Sequence, residues 1–282
     1  LSALHPRYEA LKRGHCVPAL LERVWPLCER AAAAGMNLTI DAEESERLEI
    51  SLEIIDALAE RTRAELPQWH GLGLAVQAYQ TRALAVIEHL TALTRRLSQP
   101  MMVRLVKGAY WDSEIKRAQE LGLAAFPVWT FKAHTDLAYL ACAARLFEAA
   151  PLIYSQFATH NALTIGAILT MAGKVRARLP KSAGVEPFFE LQRLHGMGDG
   201  IYRGILDDPA IHCRVYAPVG QHRDLLAYLV RRLLENGANS SFVNQLHDDT
   251  VSIEQLLVPP APQLVVDAPG QASHGRPRRP AP

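Results

Sequence analysis

Apolar residues follow two alternating patterns along this chain, short continuous runs and longer stretches in which they recur every three or four positions. The short runs are rich in β-branched and aromatic side chains and are typical of strands, at residues 36–40, 72–77, 101–106, 127–132, 152–157, 187–194 and 213–216. The longer stretches predict helices at residues 6–34, 48–66, 81–97, 112–121, 136–149, 162–178 and 221–236. The chain therefore reads as seven strands interspersed with helices.

Strands that repeat at intervals of about 25 to 36 residues with helices between them indicate a parallel sheet with helical crossovers. A (β/α)₈ barrel needs eight strands in about 250 residues. We therefore predict an α/β fold, a TIM-type barrel that lacks most of its first strand, of which residues 1–4 would be the surviving end. An open doubly wound sheet is the alternative, which the absence of a Gly-x-Gly-x-x-Gly fingerprint disfavours.

The predicted domain boundary lies where the periodic pattern ends. Residues 1–244 form the predicted barrel, and residues 245–282 are predicted to be a linker or a disordered tail. Seven of the chain's 18 prolines lie after residue 258, together with Arg276, Arg278 and Arg279, which is a composition typical of linkers and disordered segments.

Composition excludes several classes of function. With 30 basic and 29 acidic side chains the formal net charge is +1, so no basic excess points to nucleic acid. No apolar run is long enough to cross a bilayer. The cysteines Cys16, Cys28, Cys142 and Cys213 are scattered without a Cys-x-x-Cys pair, which favours a reducing cytoplasm and no thiolate metal site.

The strand at residues 101–106 carries one charge, Arg104, among apolar neighbours. A guanidinium in that position requires either a carboxylate partner or a ligand. Gly108 permits close approach of the backbone, and Tyr110 and Trp111 add aromatic surface just beyond the strand. This end of the strand is therefore a candidate site.

Parallel strands would bring many polar side chains to one rim, because their carboxyl ends lie at the same edge. These side chains are Asp41, Glu43, Gln77, Arg104, Lys107, Thr130, Lys132, Thr159, His160, Asn161, Gln192, His195 and Tyr216. The two lysines and the start of a helix at residues 159–161 would suit a phosphorylated cofactor. The ordinary alternative is that Thr159 or Asn161 only caps the helix.

The last helix presents Tyr228, Arg231, Arg232 and Glu235 on one face. Such a stripe is commonly a solvated surface. Two guanidiniums beside a tyrosine can also clamp a small carboxylate. Periodicity leaves both interpretations open.

Five segments together resemble one family. They are VRLVKGAYWD at residues 103–112, QFATHN at 156–161, LHGMG at 194–198, YAPVG at 216–220 and YLVRRLLENGAN at 228–239. From residue 1 to about 244 the chain is similar to the proline dehydrogenase domain of the bacterial bifunctional proline utilisation flavoenzymes. The resemblance implies an FAD-containing barrel that oxidises L-proline to Δ1-pyrroline-5-carboxylate by hydride transfer to flavin N5 and passes the electrons to a quinone.

The resemblance also implies roles for single residues. Arg104, near flavin N5, would be catalytic together with Asp41 and Tyr216. The proline carboxylate would bind Arg231 and Arg232, and Tyr110 and Tyr228 would pack around the ring. The FAD-binding residues would be Gln77, Val106, Lys107, Gly108, Trp111, Thr130, Lys132, Thr159, His160, Asn161, Gln192, Glu235, Ser241 and Phe242.

In that family a strand ending in an active-site lysine precedes the segment that matches residues 1–4. The resemblance therefore implies a fragment without the DNA-binding and glutamate-semialdehyde dehydrogenase modules of its relatives, whose full-length forms contact the inner face of the cytoplasmic membrane. An inactive remnant that binds no flavin is the main alternative. A metal-dependent barrel hydrolase using Asp41, His160 and His195 is a second.

Overall fold

A computed structural model of the chain describes residues 1–177, 188–237 and 252–260. Its strands are β1 (Leu38–Ile40), β2 (Leu72–Gln77), β3 (Met101–Val106), β4 (Ile153–Ala158), β5 (Phe189–Leu194) and β6 (Cys213–Tyr216). Its helices are α1 (Arg13–Ala33), α2 (Leu48–Glu65), α3 (Ala83–Leu97), α4 (Trp111–Glu120), α5 (Lys132–Glu148), α6 (Ala162–Arg176), α7 (Asp199–Ile205), α8 (His222–Gly237) and α9 (Ile253–Leu256). The described chain divides into two compact units, residues 1–156 and the residues from 157 onward.

The first unit contains a sheet in the order β1, β2, β3 and the beginning of β4. β1 and β2 are parallel, and so are β2 and β3, where Ala75 faces Arg104 and Gln77 faces Val106. All six residues of β2 are buried. In β3 the buried residues alternate with partly exposed ones, so that Arg104 lies on the opposite face from Val103 and Leu105.

Helices cover the apolar face of this sheet. α3 shows how the sequence specifies them, because its buried residues Val86, Ile87, Leu90 and Leu93 recur three or four positions apart and form one stripe. Full burial of each such side chain stabilises the fold by roughly 1.5–3 kcal/mol. α3 packs against both α2 and α5.

The second unit contains the end of β4, then β5 and β6. β5 and β6 are parallel, with Gln192 facing Arg214 and Leu194 facing Tyr216. Phe157 and Phe189 pack with ring centroids 6.1 Å apart. The short helix α7, which the sequence pattern did not predict, buries Tyr202.

The predicted α/β class with parallel strands is confirmed. Most helices also lie where predicted, although α1 begins at Arg13 rather than residue 6, and α5 begins four residues early at Lys132. The closing of the strands into an eight-stranded barrel that lacks its first strand stays a prediction.

The strand predicted at residues 127–132 is wrong, so six of the seven predicted strands occur in the described residues. Its alternating side chains fit a strand, but its backbone pairs with the β2–α3 connection through an isolated antiparallel bridge between Gln80 and Val128. The N–H of Trp129 donates to the carbonyl of Tyr79 (2.8 Å), and Lys132 already starts α5. Phe131 turns its ring edge-on to His134, with centroids 5.4 Å apart.

Within the predicted tail, residues 253–256 form the short helix α9. None of the helices in the described ranges is long and apolar enough to span a membrane.

Candidate functional site

Arg104 meets a carboxylate, as one of its two interpretations requires. Its Nη2 donates to Oδ1 of Asp41, which directly follows β1. The Arg104 side chain is 14% exposed and that of Asp41 is 65% exposed. The pair therefore lies at the border between the sheet and solvent, where a ligand can reach it.

Gln77 cross-links two loops at the end of β2. Its Nε2 donates to the carbonyl of Glu43 (2.9 Å), and its Oε1 accepts from the N–H of Ala109 (3.3 Å). The side chain is buried. Both ends of the amide thus hold the loop after β1 to the loop after β3, and Gln77 positions these loops as well as lying in the candidate site.

Gly108 lies against the ring of Tyr79. A Cβ at Gly108 would come within 2.4 Å of that ring, and the backbone φ of +140° is also unfavourable for other residues. Tyr79 donates its N–H to the carbonyl of Lys107 (2.7 Å). Its ring packs with Ile115 and Val128. Tyr79 therefore supports the Lys107–Gly108 turn from below, through both backbone and ring.

Lys107 binds a carboxylate that lies one helical turn after Lys132. Nζ of Lys107 donates to Oδ1 of Asp136 on α5. Lys132 is the first residue of the same helix, one turn before Asp136. Partial burial lowers the pKa of Lys132, the charge of Asp136 opposes this, and the charge of Lys107 adds to it. The cluster thus combines two ammonium groups and a helix N-terminus, which together attract anions.

Two further contacts fix α4, the helix that begins at Trp111. Trp111 donates its Nε1–H to the carbonyl of Trp129 (2.8 Å). Glu114 is buried and accepts from the N–H and from the hydroxyl of Ser45, both at 2.6 Å. α4 is therefore anchored at the segment just before α2.

In the second unit, Asn161 is the N-cap of α6. Its Oδ1 accepts from the N–H (2.9 Å) and the hydroxyl (3.1 Å) of Thr164. The hydroxyl oxygen of Thr159 in turn accepts from the N–H of Asn161 (3.2 Å). The capping interpretation of Asn161 is confirmed, and its predicted part in cofactor binding stays a prediction.

His160 is held neutral by its surroundings. Its Nε2 accepts from the N–H of Leu194 (3.1 Å), so the proton of the neutral ring lies on Nδ1. Burial, together with the positive charges of Arg193 and Arg232, lowers the pKa of His160 to about 4. The Nε2 lone pair, which the metal-hydrolase alternative would use, is thus engaged by the backbone.

Gln192 belongs to a polar network on β5 and β6. Its Nε2 donates to Oε1 of Glu190 (2.8 Å), and Arg214 binds both oxygens of Glu190, at 2.8 and 2.9 Å. This contact fixes the orientation of the Gln192 amide. Tyr202 ties the network to β4 by donating to the carbonyl of Thr159 (2.6 Å).

Tyr216, Tyr228 and Arg232 form an aromatic and cationic group. The two tyrosine ring centroids are 6.3 Å apart, and Cζ of Arg232 lies 5.4 Å from the centroid of Tyr228. Arg231 and Glu235 lie on α8, but their side chains are outside the described residues, as are Ser241 and Phe242 entirely.

The predicted residues are divided between the two units. In the first unit they are Asp41, Gln77, Arg104, Val106, Lys107, Gly108, Tyr110, Trp111, Thr130 and Lys132. Thr130 and Lys132 lie in the α4–α5 connection and at the start of α5 rather than at a strand end. In the second unit they are Thr159, His160, Asn161, Gln192, Tyr216, Tyr228 and Arg232.

Sequence reasoning missed the residues that hold these groups in place. They are Tyr79, Glu114, Asp136, Glu190 and Tyr202. Two carried a usable signal. Asp136 lies four residues after Lys132 on a predicted helix, and Glu190 lies two residues before Gln192 on a predicted strand, which places each pair on one face.

Comparison with known proteins decides the family. The family model described as "Proline dehydrogenase" matches residues 3–245. The chain belongs to the proline dehydrogenase family. This match includes every strand end at which a predicted site residue lies.

Curated relatives agree with this membership. The Bifunctional protein PutA of Klebsiella aerogenes is 46% identical over 289 residues, covering 100% of this chain and 21% of that protein. The PutA of Rhizobium meliloti is 49% identical over 270 residues, covering 92% of this chain and 20% of that protein. This proline dehydrogenase family chain thus spans about a fifth of the length of these relatives.

Solved structures are similar in fold as well as in sequence. A crystal structure of Proline Utilization A (PutA) from Bradyrhizobium japonicum has a TM-score of 0.85 and 52% identity, covering 99% of this chain and 27% of that one. The PutA from Bdellovibrio bacteriovorus, inactivated by N-propargylglycine, has a TM-score of 0.83 and 32% identity, covering 93% of this chain and 26% of that one.

Proposed function

We propose that this chain carries out FAD-dependent oxidation of L-proline to Δ1-pyrroline-5-carboxylate, the first step of proline catabolism to glutamate. The observation that carries the proposal is the family match over residues 3–245. The PutA of Bdellovibrio bacteriovorus is inactivated by N-propargylglycine, a glycine derivative, which is in keeping with an amino-acid substrate in that relative.

The donor set of the first unit fits FAD. Lys107, Lys132 and the N-terminus of α5 supply the positive potential that a diphosphate needs. Gln77 and Trp111 offer an amide and an aromatic surface beside them. Bound FAD would supply the hydride acceptor, flavin N5, for the proline ring carbon next to nitrogen.

The protein's own part is electrostatic and orienting. Arg104 would stabilise the negative charge that develops on the bound flavin, and Asp41 orients its guanidinium. Arg231 and Arg232 bind the proline carboxylate. Tyr110, Tyr216 and Tyr228 pack around the proline ring and exclude water. His160, Thr159, Asn161 and Gln192 bind further parts of the cofactor.

The proposal also covers the electron acceptor, the cellular location and the domain limits of the chain. Electrons leave through a quinone, the enzyme works in the cytoplasm with peripheral contact to the membrane in its full-length form, and the strands belong to a (β/α)₈ barrel. The domain limits 1–244 and 245–282 are part of the same proposal.

An anaerobic absorbance titration tests the proposal. The purified chain should show flavin bands that bleach with L-proline but not with D-proline, and a soluble quinone should restore them. Matched proteins carrying Arg104→Lys should keep the bands and bleach more slowly. A colourless chain, even after refolding with FAD, would contradict the proposal and favour the remnant that binds no flavin.

A further inference from the structure

We propose that Asp136 is an internal counter-ion of Lys107 and Lys132, and that an anionic ligand binds these lysines by displacing its carboxylate. The inference rests on the proposed function in one respect, the choice of the FAD diphosphate as the natural ligand. It adds a residue with a defined effect on affinity to that site.

The cluster consists of Lys107, Lys132 and Asp136. Asp136 accepts from Nζ of Lys107, and the two side chains are 19% and 28% exposed. Lys132 lies one helical turn before Asp136, on the same face of α5. Asp136 thus accepts from Lys107 and lies one turn after Lys132 at the start of a 17-residue helix, where helix-dipole rules also favour an anion.

Asp136 lowers the net positive charge of the cluster. Two ammonium groups and one carboxylate leave the cluster with a single net positive charge. An incoming diphosphate carries two negative charges and needs the ammonium group of Lys107 that Asp136 occupies. Carboxylate and phosphate oxygens compete for lysine N–H groups, so part of the attraction for the ligand is offset by Asp136.

Repulsion between the two ammonium groups accounts for the presence of a carboxylate in this cluster. Two partly buried ammonium groups repel each other, and the pKa of Lys132 is lowered by burial first, raised by the charge of Asp136 and lowered again by that of Lys107. Asp136 relieves this repulsion in the ligand-free chain. The cluster therefore exchanges one anion for another instead of assembling on binding.

The test compares Asp136→Asn with the wild-type full chain after any bound nucleotide has been removed. Inorganic pyrophosphate is titrated by calorimetry at low and high salt. We expect roughly fivefold to tenfold tighter binding by D136N at low salt, with a steeper loss of affinity as salt rises. Glu148→Gln, which removes a carboxylate from the exposed end of α5, should bind as the wild type does.

A second readout needs no substitution. Carbodiimide labelling of the wild-type chain should modify Asp136 about threefold faster when pyrophosphate is present, because displacement frees its carboxylate from Lys107. Labelling of Glu148 should not change. This measurement keeps the proposal testable even if D136N fails to fold.

Equal or weaker pyrophosphate binding by D136N, unchanged labelling of Asp136, or no binding by either chain would overturn the proposal. Failure of the proposed function gives a different result. In that case pyrophosphate would bind and D136N would bind it more tightly, while neither chain would bind FAD.

Discussion

The ends of β3 and β4 hold their functional groups in different ways. In β3 and directly after it, the cations Arg104 and Lys107 are held by carboxylates on other elements, Asp41 and Asp136. After β4, His160 and Thr159 are held by contacts with the backbone: Leu194 N–H bonds to His160, and Tyr202 bonds to the Thr159 carbonyl. Of these partners, Asp136 is the one that we propose a ligand displaces, whereas the backbone groups are fixed by the fold.

The two kinds of partner also differ in how much they contribute to the free energy of unfolding. Partly exposed ion pairs contribute about 0–1 kcal/mol to stability, so their partners can change at little expense to the fold. A buried hydroxyl that bonds to the backbone leaves unsatisfied carbonyls if it is lost, which costs about 1–3 kcal/mol. The end of β4 should therefore be the more rigid of the two, and substitutions there should affect stability most.

Tyr202→Leu should have the largest effect. It removes a fully buried ring and a hydroxyl that bonds to Thr159, so we expect the free energy of unfolding to fall by about 3–4 kcal/mol. Far-UV circular dichroism in urea is the suitable measurement, because all four tryptophans lie in the first unit and their fluorescence would not report on the second. Tyr202→Phe, which keeps the ring, should lose only about 1 kcal/mol, and equal losses would contradict this account.

His160 should make stability depend on pH. Its pKa in the fold is about 4, below the ordinary value of 6.5, so the unfolded chain takes up the proton first. The resulting stabilisation is complete above pH 6.5 and is lost as the pH falls toward 4, by up to about 3 kcal/mol. The difference in unfolding free energy between wild type and His160→Gln, measured from pH 7 to 4, should show this slope. His89→Gln, at an exposed hydrogen bond with Asp56, is the control for loss of a histidine elsewhere in the chain.

Glu114 lies in the first unit but, like the groups after β4, it bonds to the backbone. Its loss should therefore cost more stability than the loss of an exposed ion pair in the same unit. Glu114→Ala leaves the N–H of Ser45 without its acceptor, and we expect a loss of about 2 kcal/mol. Urea unfolding followed by tryptophan fluorescence measures it. Glu120→Gln, on the exposed end of α4, should change stability by less than about 0.5 kcal/mol. A similar result for both variants would mean that burial of the contact does not matter.

Asp41→Asn should have the smallest effect on stability. Asp41 is mostly exposed, so loss of its ion pair with Arg104 should cost less than about 1 kcal/mol. Under the proposed function, the rate of flavin reduction by proline should still fall at least about tenfold, because Arg104 loses its orienting partner. Stopped-flow absorbance and urea unfolding on the same preparation separate the two effects. A large loss of stability would show that this pair belongs with the rigid contacts.

Much of the fold follows from local pattern. β2, β3 and the stripe of α3 are specified by runs and periodicities that the packing then satisfies, and Asn161 caps α6 as its position before an apolar run suggests. The exception at residues 127–132 arises because a strand pattern states only that side chains alternate. It does not state whether the backbone will pair with the sheet or, as here, with the connection after β2.

The site was less accessible to such reasoning than the fold. The residues that carry charge could be found one at a time, because a charge in an apolar strand needs a partner. The identity of that partner depends on contacts between distant segments, such as Asp41 with Arg104 and Ser45 with Glu114. No periodicity in the sequence encodes such pairs, so Glu114 and Tyr79 became visible only in three dimensions.

The contact between Gly108 and Tyr79 has an evolutionary consequence. Any side chain at position 108 would meet the tyrosine ring and would also adopt an unfavourable backbone angle, so this position has two independent reasons to remain glycine. Position 79 is under no such backbone constraint, and its N–H can bond to the carbonyl of Lys107 whatever its side chain, so half of its support for the turn survives substitution. We therefore expect homologues in which residue 79 varies while residue 108 remains glycine. We expect none in which residue 108 varies while residue 79 remains tyrosine.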